Sequence, residues 1–413
     1  MARSDKYTDI IVGLDFGTTK ICAVVGRRNP KNQIDIVGIG RHPSSGIRKG
    51  VVINIESTVE SVRAAIEEAE MMAGIEIQHV FAGIAGGHIK GFNSHGMVAI
   101  KEGEVTKADM ARVIDAAKAV AIPLDREVIH IIPQDYIIDD QDGIKDPLGM
   151  SGVRLEVKVH VVTGAVSSAQ NIIKCATKTG LNVADIVLEP LASAEAVLTK
   201  EEKDLGVALI DIGGGTTDLA MFSGGSIVHS CVLAIGGNHV TNDVALGLRT
   251  AAQDAERLKI KYGCAKTSLV NPDQTLEVPG VGGRPSRIVP RKLLAQVIEP
   301  RIEEIYALVF QEMKKSGFHG LMASGIVMTG GSSLLPGMVE LAEQVFGMPV
   351  KVGLPYQVGG LVDVVRNPIY STGVGLVLYG AQHVKKQNRF KIREDKIYHK
   401  VRDRMKAWFG EIF

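Results

Sequence analysis

The sequence predicts an α/β protein of two related lobes that face each other across a cleft, each lobe carrying an insertion. Three observations predict it. "IIVGLDFGTTKICAVV" (10–25) and "VALIDIGGGTTDLAMF" (207–222) share an apolar run, an Asp, a Gly-Thr-Thr cluster and a second apolar run, one copy in each half. Strand and helix signals alternate in both halves. Each half is also interrupted by a stretch of different texture, at about 86–162 and about 240–318.

The elements follow in order. Residues 10–16 and 20–26 read as strands joined at "DFGTT", and "IDIVGIG" (34–40) continues the sheet. "STVESVRAAIEEAEMMAG" (57–74) has a Ser cap, helical apolar spacing and a closing Gly. "HVFAGIAG" (79–86) is another strand. In the first insertion "TKADMARVIDAAKAV" opens with a T-x-x-D cap and reads as a helix. "REVIHIIPQDYIID" reads as a strand with a Pro interruption. "VRLEVKVHVV" (153–162) alternates, with Val153, Leu155, Val157, Val159 and Val161 on one face and Arg154, Glu156, Lys158 and His160 on the other. That pattern is a half-buried strand, and it places His160 on the exposed face.

"SSAQNIIKCATKTG" (167–180) and "PLASAEAVLTKEEKDLG" (190–206) read as helices ahead of the second hairpin. In the second insertion "DAERLKIKYG" and "PRKLLAQVIEPRIEEIYALVFQEMKKSG" read as helices around a Gly/Pro-rich stretch. "GIVMTGGSSLLPGMVELAEQVFG" (325–347) gives strand, Gly-Gly-Ser turn and helix, and "NPIYSTGVGLVLYGAQ" (367–382) a final helix.

Composition excludes several classes. A chain of 413 residues, 45% hydrophobic and 23% charged, fits a globular protein with a substantial core. A formal net charge of +1 gives no reason to expect nucleic acid as a partner. No stretch approaches about 18 apolar residues, so none is expected to span a bilayer, and "MARSDKYTD" has no signal-peptide core. Cys22, Cys175, Cys231 and Cys264 form no C-x-x-C and read as reduced, buried thiols of a cytoplasmic protein.

The doubled turn carries the chemistry. Asp-x-Gly at a strand end makes a tight hairpin whose glycines let backbone approach a ligand and whose N–H groups form an anion nest. Lys20 adds a point charge for phosphate oxygens. Asp15 and Asp211 would repel phosphate alone, but Mg²⁺ between them resolves this, since Mg²⁺ is held by one or two carboxylates plus phosphate oxygens. Two such hairpins facing each other would grip one polyphosphate from both sides. The chain has no Walker-type G-K-[ST]. A third glycine site, Gly330, Gly331 and Ser332, stands after a buried strand at an expected helix start, where N–H groups favour a phosphate or ribose oxygen.

These motifs, in this order, resemble the actin/Hsp70/sugar-kinase superfamily: the two hairpins its phosphate motifs, "GIVMTGGSSLLPG" its adenosine motif, and "DIVLEPLASAEAVL" and "NPIYSTGVGLVLYGA" its hinge helices. Within it the chain resembles the FtsA family of actin-like bacterial cell-division proteins, through "DFGTTK", "LEPLASAEAVL", the 86–162 insertion and the basic tail. The resemblance implies an actin-like ATPase fold. Its first lobe would be 1–85, 163–205 and 367–383, with 86–162 inserted. Its second would be 206–239 and 319–366, with 240–318 inserted, and 384–413 would form a linker and membrane-targeting helix.

It implies ATP and Mg²⁺ as cofactors, with Asp15 and Asp211 on the metal. Thr18, Thr19, Lys20, Gly214, Gly215 and Thr216 would contact phosphates, Gly330, Gly331 and Ser332 would line the nucleoside side, and Gly17, Gly213, Gly236 and Gly237 would complete the nucleotide-binding set. Glu256 and Lys259, in "AERLK", are candidates for ribose and adenine contacts; the same spacing also makes a surface i,i+3 ion pair. Hydrolysis needs a residue to orient water, for which Glu189 is the candidate beside Asp211; Glu189 fits the start of a hinge helix equally well.

The resemblance further implies self-assembly into protofilaments and docking of the FtsZ C-terminal peptide on 240–318, with Arg301 and Lys292 as candidate contacts. Other division proteins would bind 86–162. From Lys385 to Phe413 there are ten Lys/Arg against four Asp/Glu. On a helical wheel Ile397, Val401, Met405, Trp408, Phe409 and Ile412 gather on one side. The wheel fits either an in-plane interfacial helix or a helix docked on its own domain; the polar spacer before it and the resemblance favour a peripheral attachment to the cytoplasmic face of the membrane at the division site. A related pilus-assembly ATP-binding protein is the alternative. A sugar kinase lacks support because no sugar site stands out, and a chaperone because no peptide-binding domain does.

Overall fold

The computed structural model describes residues 10–383. The first hairpin is β1 (Ile10–Phe16) and β2 (Lys20–Arg28), followed by β3 (Ile34–Pro43). A small hairpin, β4 (Ile47–Arg48) and β5 (Val51–Val52), leads to α1 (Ile55–Ala73) and β6 (His79–Ile84). The first insertion contributes β7 (Lys90–Ala99), α2 (Lys107–Ala117), β8 (Arg126–Ile138), β9 (Gln141–Ile144) and β10 (Arg154–Ala165). The chain returns through α3 (Val166–Lys178), β11 (Asn182–Leu188), α4 (Glu189–Val197) and α5 (Lys200–Leu205).

The second lobe opens with β12 (Val207–Ile212), β13 (Thr217–Ser223) and β14 (Ser226–Leu233). Its insertion holds α6 (Gly237–Gly247), α7 (Ala252–Tyr262), the hairpin β15 (Thr275–Val278) and β16 (Arg287–Pro290), and α8 (Arg291–Ser316). Then come β17 (Ile326–Thr329), α9 (Met338–Phe346), β18 (Val350–Val352), β19 (Val358–Gly360), α10 (Val362–Val365) and α11 (Ser371–His383).

The two lobes are built alike. One sheet contains the order β3-β2-β1-β6-β11 and the other β14-β13-β12-β17-β18. In each, the first two pairings are antiparallel and the last two parallel. Alternate residues feed opposite faces. Val12, Leu14 and Phe16 join a core with residues of α1 and α3. Ile210 and Ile212 join one with residues of α8 and α9. The opposite faces share a third core: Ile11, Cys22 and Val24 from one sheet, Leu209, Ala220 and Phe222 from the other, with Ala192, Ala196, Leu376 and Val377 of α4 and α11 between them. The hinge helices therefore lie between the lobes. They cross closely enough that a Cβ on Gly375 would overlap the Ala192 backbone.

The inserted sheet, ordered β7-β10-β8-β9, has its own core beneath α2. The Thr106 to Asp109 capping box expected for α2 is present. Pro133 falls at a bulge of β8, where the pairing with β10 shifts register, which is how a strand accommodates proline.

Several expectations are corrected. His160 is fully buried, and Glu156 is largely so. The face of β10 read as exposed is covered at His160 by β14 of the second lobe, where Ser230 Oγ lies 2.8 Å from His160 Nε2. Val153, read as apolar and inward, is exposed and precedes the strand. The cap of α1 is Asn54, whose Oδ1 accepts from the Ser57 N–H at 3.1 Å, and Ser57 lies inside the helix. Residues 190–206 form two helices, because Leu198 is extended and Thr199 opens a new capping box with Glu202. Residues 358–360, assigned to the second lobe, pair with β3 at the edge of the first-lobe sheet. Cys22, Cys175 and Cys264 are buried but Cys231 is half-buried. The tail residues Ile397, Val401, Met405, Trp408, Phe409 and Ile412 lie outside the described residues.

Candidate functional site

The two glycine hairpins meet. In the first, Asp15 lies one residue before the end of β1, opposite Cys22, and is buried. Gly17 turns the chain so tightly that a Cβ there would stand 2.6 Å from the Lys20 carbonyl oxygen. Lys20 Nζ donates to Asp15 Oδ2 at 3.0 Å. In the second, Gly213 N–H donates to the Thr216 carbonyl at 3.0 Å and closes the turn. Asp211 and Asp218 are cross-strand partners, so their side chains share one face. A Cβ on Gly214 would overlap the Thr19 hydroxyl, and one on Gly215 the Thr18 hydroxyl. The tips of the hairpins therefore abut, and glycine on one side leaves room for threonine on the other.

Two further elements brace the second hairpin. The start of α6 packs under it, with the Gly237 and Asn238 N–H groups donating to the Gly213 and Gly214 carbonyls at 2.9 and 2.8 Å. Gly330, at φ +85°, approaches so closely that a Cβ would overlap Asp211 Oδ1. Ser332 Oγ donates to the Gly213 carbonyl at 3.2 Å. The helix expected at this turn is instead a single 3-10 turn, Gly331–Leu334; Pro336 and Gly337 intervene before α9 begins.

Together these walls enclose a cleft of about 480 Å³. Asp15, Gly17, Thr18, Thr19, Lys20, Glu189, Asp211, Gly213, Gly214, Gly215, Thr216, Gly237, Glu256, Lys259, Gly330, Gly331 and Ser332 all line it. Gly236 does not; it packs behind the turn against the Gly213 and Thr216 carbonyls. At the far end Lys259 pairs with Glu256 at 2.7 Å and also donates to the Gly237 carbonyl at 3.1 Å and Thr241 Oγ1 at 2.8 Å. Ile260, Ile302, Leu335 and Ile369 give that end an apolar wall. Arg301 and Lys292 lie on α8 outside the cleft lining: Arg301 is paired with Asp243 and Glu304, and Lys292 is exposed.

Sequence reasoning missed Asp218, Arg41, Asn238, Ser193 and Thr372. Ser193 Oγ and Thr372 Oγ1, from α4 and α11, donate to Asp211 Oδ2 at 2.7 and 3.4 Å. The signal for Asp218 was present, since a tight hairpin puts it opposite Asp211.

Electrostatically the cleft gathers buried carboxyl groups that raise one another. Burial pushes the Asp211 carboxyl up to about 6, with Asp15 adding to the shift. Burial also raises Glu189 well above the usual carboxylate range, reinforced by Asp15, Asp218 and Asp211. Asp218 is raised by burial and by Asp211 and Asp15. Burial alone would lower the Lys20 ammonium, but Asp15, Cys22 and Asp211 outweigh it and the net direction is up. Four carboxyl groups, of Asp15, Asp211, Asp218 and Glu189, thus line the cleft, and the Lys20 ammonium pairs directly with Asp15. Oδ1 of Asp218 is buried with no hydrogen-bond partner among the described residues. A hydrated Mg²⁺ fits this oxygen-only donor set, and phosphate oxygens fit the backbone cradle that a Cβ would fill.

Comparisons with known proteins agree with this architecture. The family model "Cell division protein FtsA" matches residues 208–375, and "SHS2 domain inserted in FTSA" matches 86–163. Cell division protein FtsA of Pseudomonas aeruginosa is 58% identical over 90% of this chain and 89% of its own length. That of Escherichia coli K12 is 43% identical over 91% and 92%. Among solved structures, the PilM-PilN type IV pilus biogenesis complex has a TM-score of 0.66 at 16% identity, covering 90% of this chain and 98% of that one. MreB5 of Spiroplasma citri bound to ADP has 0.55 at 17%, covering 92% and 98%. The fold is actin-like, and by identity sustained along its length the chain belongs to the FtsA family of cell division proteins.

Proposed function

We propose that this protein binds Mg²⁺·ATP in the cleft, assembles into actin-like protofilaments on the cytoplasmic face of the cell membrane, and tethers FtsZ filaments there at the division site. The observation that carries the reading is the abutting pair of glycine hairpins, with Asp15, Asp211 and Asp218 converging beside Lys20. Asp15 and Asp211 would hold the hydrated cation, whose charge offsets the carboxylates and the phosphates together. Lys20, Thr18, Thr19 and the 213–216 backbone would hold phosphate oxygens, and Gly237, Glu256, Lys259 and Gly330 to Ser332 the nucleoside. Glu189 is the candidate for orienting water. Its carboxyl is raised by burial and by Asp15, Asp218 and Asp211, so a cation beside those carboxylates would bear directly on its role.

No helix among the described residues is long and apolar enough to cross a membrane. Attachment is assigned to the tail, on sequence grounds: aromatic and aliphatic residues on one side, and basic residues worth on the order of 1 kcal/mol each near an anionic surface. One such helix binds reversibly, and a filament carrying many binds far better through effective concentration, which gives polymerisation a physical purpose. FtsZ would dock on 240–318. There Lys292 is exposed, whereas an incoming carboxylate must displace Asp243 or Glu304 to reach Arg301. The pilus-assembly alternative rests on likeness of fold alone.

Co-sedimentation with anionic vesicles, FtsZ and ATP tests this reading. The full chain is expected to carry FtsZ into the vesicle pellet, and a chain lacking 397–413 to leave it in the supernatant. Equal pelleting by both would refute the membrane assignment.

A further inference from the structure

Strand β14 breaks regular pairing once. Met221 pairs with His229 and Phe222 with Ile227, which leaves Val228 without a cross-strand partner. A bulge of this kind resets the alternation of side chains along the strand. Leu219 and Met221, the cross-strand partners of Cys231 and His229, belong to the core that α8 covers. His229 and Cys231 therefore share the α8 face of the strand. The last turn of α8 lies over this face, with Ser316 Oγ donating to Met221 Sδ at 3.6 Å. Glu312 stands one turn earlier on the same side of the helix. One imidazole nitrogen, one thiol sulfur and one carboxylate oxygen lie within 4.8 Å of one another as a result. The His229 Nε2 atom is buried and has no hydrogen-bond partner among the described residues.

We infer that His229, Cys231 and Glu312 form a binding site for one borderline divalent cation of the Zn²⁺ class, separate from the nucleotide cleft. Mixed nitrogen, sulfur and oxygen donors suit Zn²⁺ and not Mg²⁺ or Ca²⁺, which prefer oxygen alone. Zinc–sulfur and zinc–nitrogen bonds of about 2.3 and 2.0 Å put tetrahedral ligand atoms roughly 3.5 Å apart. The trio must close by about an ångström, within the reach of side-chain rotation of Glu312 and Cys231. Glu312 is half-buried and also pairs with the more exposed Lys315, at 2.6 Å. A pair of that kind is worth little in water and gives way to a metal bond. Three protein donors leave the fourth position to water. The cation would satisfy the orphaned imidazole nitrogen and pin β14 to α8. β14 is also the strand on which the inserted sheet docks, through Asn93 to the Val228 carbonyl at 3.0 Å and Gln134 to the Ile227 carbonyl at 2.8 Å.

The test is an optical titration of the full chain, stripped with chelator, with Co²⁺ as the probe and excess Mg²⁺ present to fill the carboxylate cleft. A thiolate-to-Co²⁺ charge-transfer band is expected to saturate at one equivalent and to disappear on adding Zn²⁺. Cys231→Ser should abolish the band and Cys22→Ser should keep it. His229→Gln and Glu312→Gln should each weaken binding by roughly 10-fold or more. Zn²⁺ should raise the melting temperature of the wild type but not of C231S, while the two melt alike in chelator; that comparison separates a lost ligand from a lost fold. Absence of the band, its survival in C231S, or unchanged affinity in H229Q would overturn the proposal.

Discussion

Asp211 and His160 titrate in opposite senses for the same reason, burial. The Asp211 carboxyl is pushed up to about 6. Between its ordinary value near 3.9 and that point the folded chain holds a proton the unfolded chain has lost, so stability falls as pH rises through the window. Glu189 and Asp218, raised by burial and by the neighbouring carboxylates, push the same way. His160 is lowered to about 4 by burial, with His229 adding to it. There the unfolded chain holds the extra proton, and stability rises with pH from about 4 to about 6.5. Difference measurements separate the two. The stability of Asp211→Asn relative to wild type should increase with pH, by on the order of 1–3 kcal/mol between about pH 4 and pH 7, and that of His160→Gln should decrease. Urea unfolding across the window checks both, and parallel curves for D211N and wild type would refute the first. Mg²⁺·ATP should erase the Asp211 effect, because the cation takes the place of the proton. Asp211 was legible from its glycine turn. Asp218 was legible only through the register of that hairpin, which pairs it with Asp211. His160 was misread because alternation along β10 carries no information about a second lobe covering its polar face.

Among elements, the hairpin tips and the crossing of the hinge helices are the most constrained. Gly214 and Gly215 have no room for a side chain beside Thr19 and Thr18. Gly214→Val should force the turns apart and weaken ATP binding by roughly 10-fold or more, with little change in unfolding free energy, about 1 kcal/mol or less; both are read on the same preparation. Gly375→Ala acts differently, because a Cβ there overlaps the Ala192 backbone in the core between the lobes. It should cost about 1–3 kcal/mol in denaturant unfolding. Strands and long helices were legible because their apolar spacing is strong. Starts and breaks were not: Asn54 and Thr199 both carried capping signals that the apolar pattern overrode, and the 3-10 turn at Gly331–Leu334 looks like a helix start until Pro336 and Gly337 are weighed.

The whole molecule is one sheet plan used twice, with α4 and α11 between the copies and the cleft where the two glycine turns meet. The repeated "D-x-G" turn predicted two lobes and which residues face the cleft, because a doubled local motif implies a doubled scaffold. It could not predict that β19 crosses to the first-lobe sheet or that the inserted sheet leans on β14, since both depend on contacts between segments far apart in the chain. The central claim is that both lobes grip one magnesium–nucleotide. Calorimetric titration of the wild type, Asp15→Ala and Asp211→Ala with ATP, each with and without Mg²⁺, tests it most directly. Single-site, Mg²⁺-dependent binding by the wild type, weakened by roughly 10-fold or more in both variants, is the predicted result. Failure of the wild type to bind, or binding that neither variant alters, would contradict it.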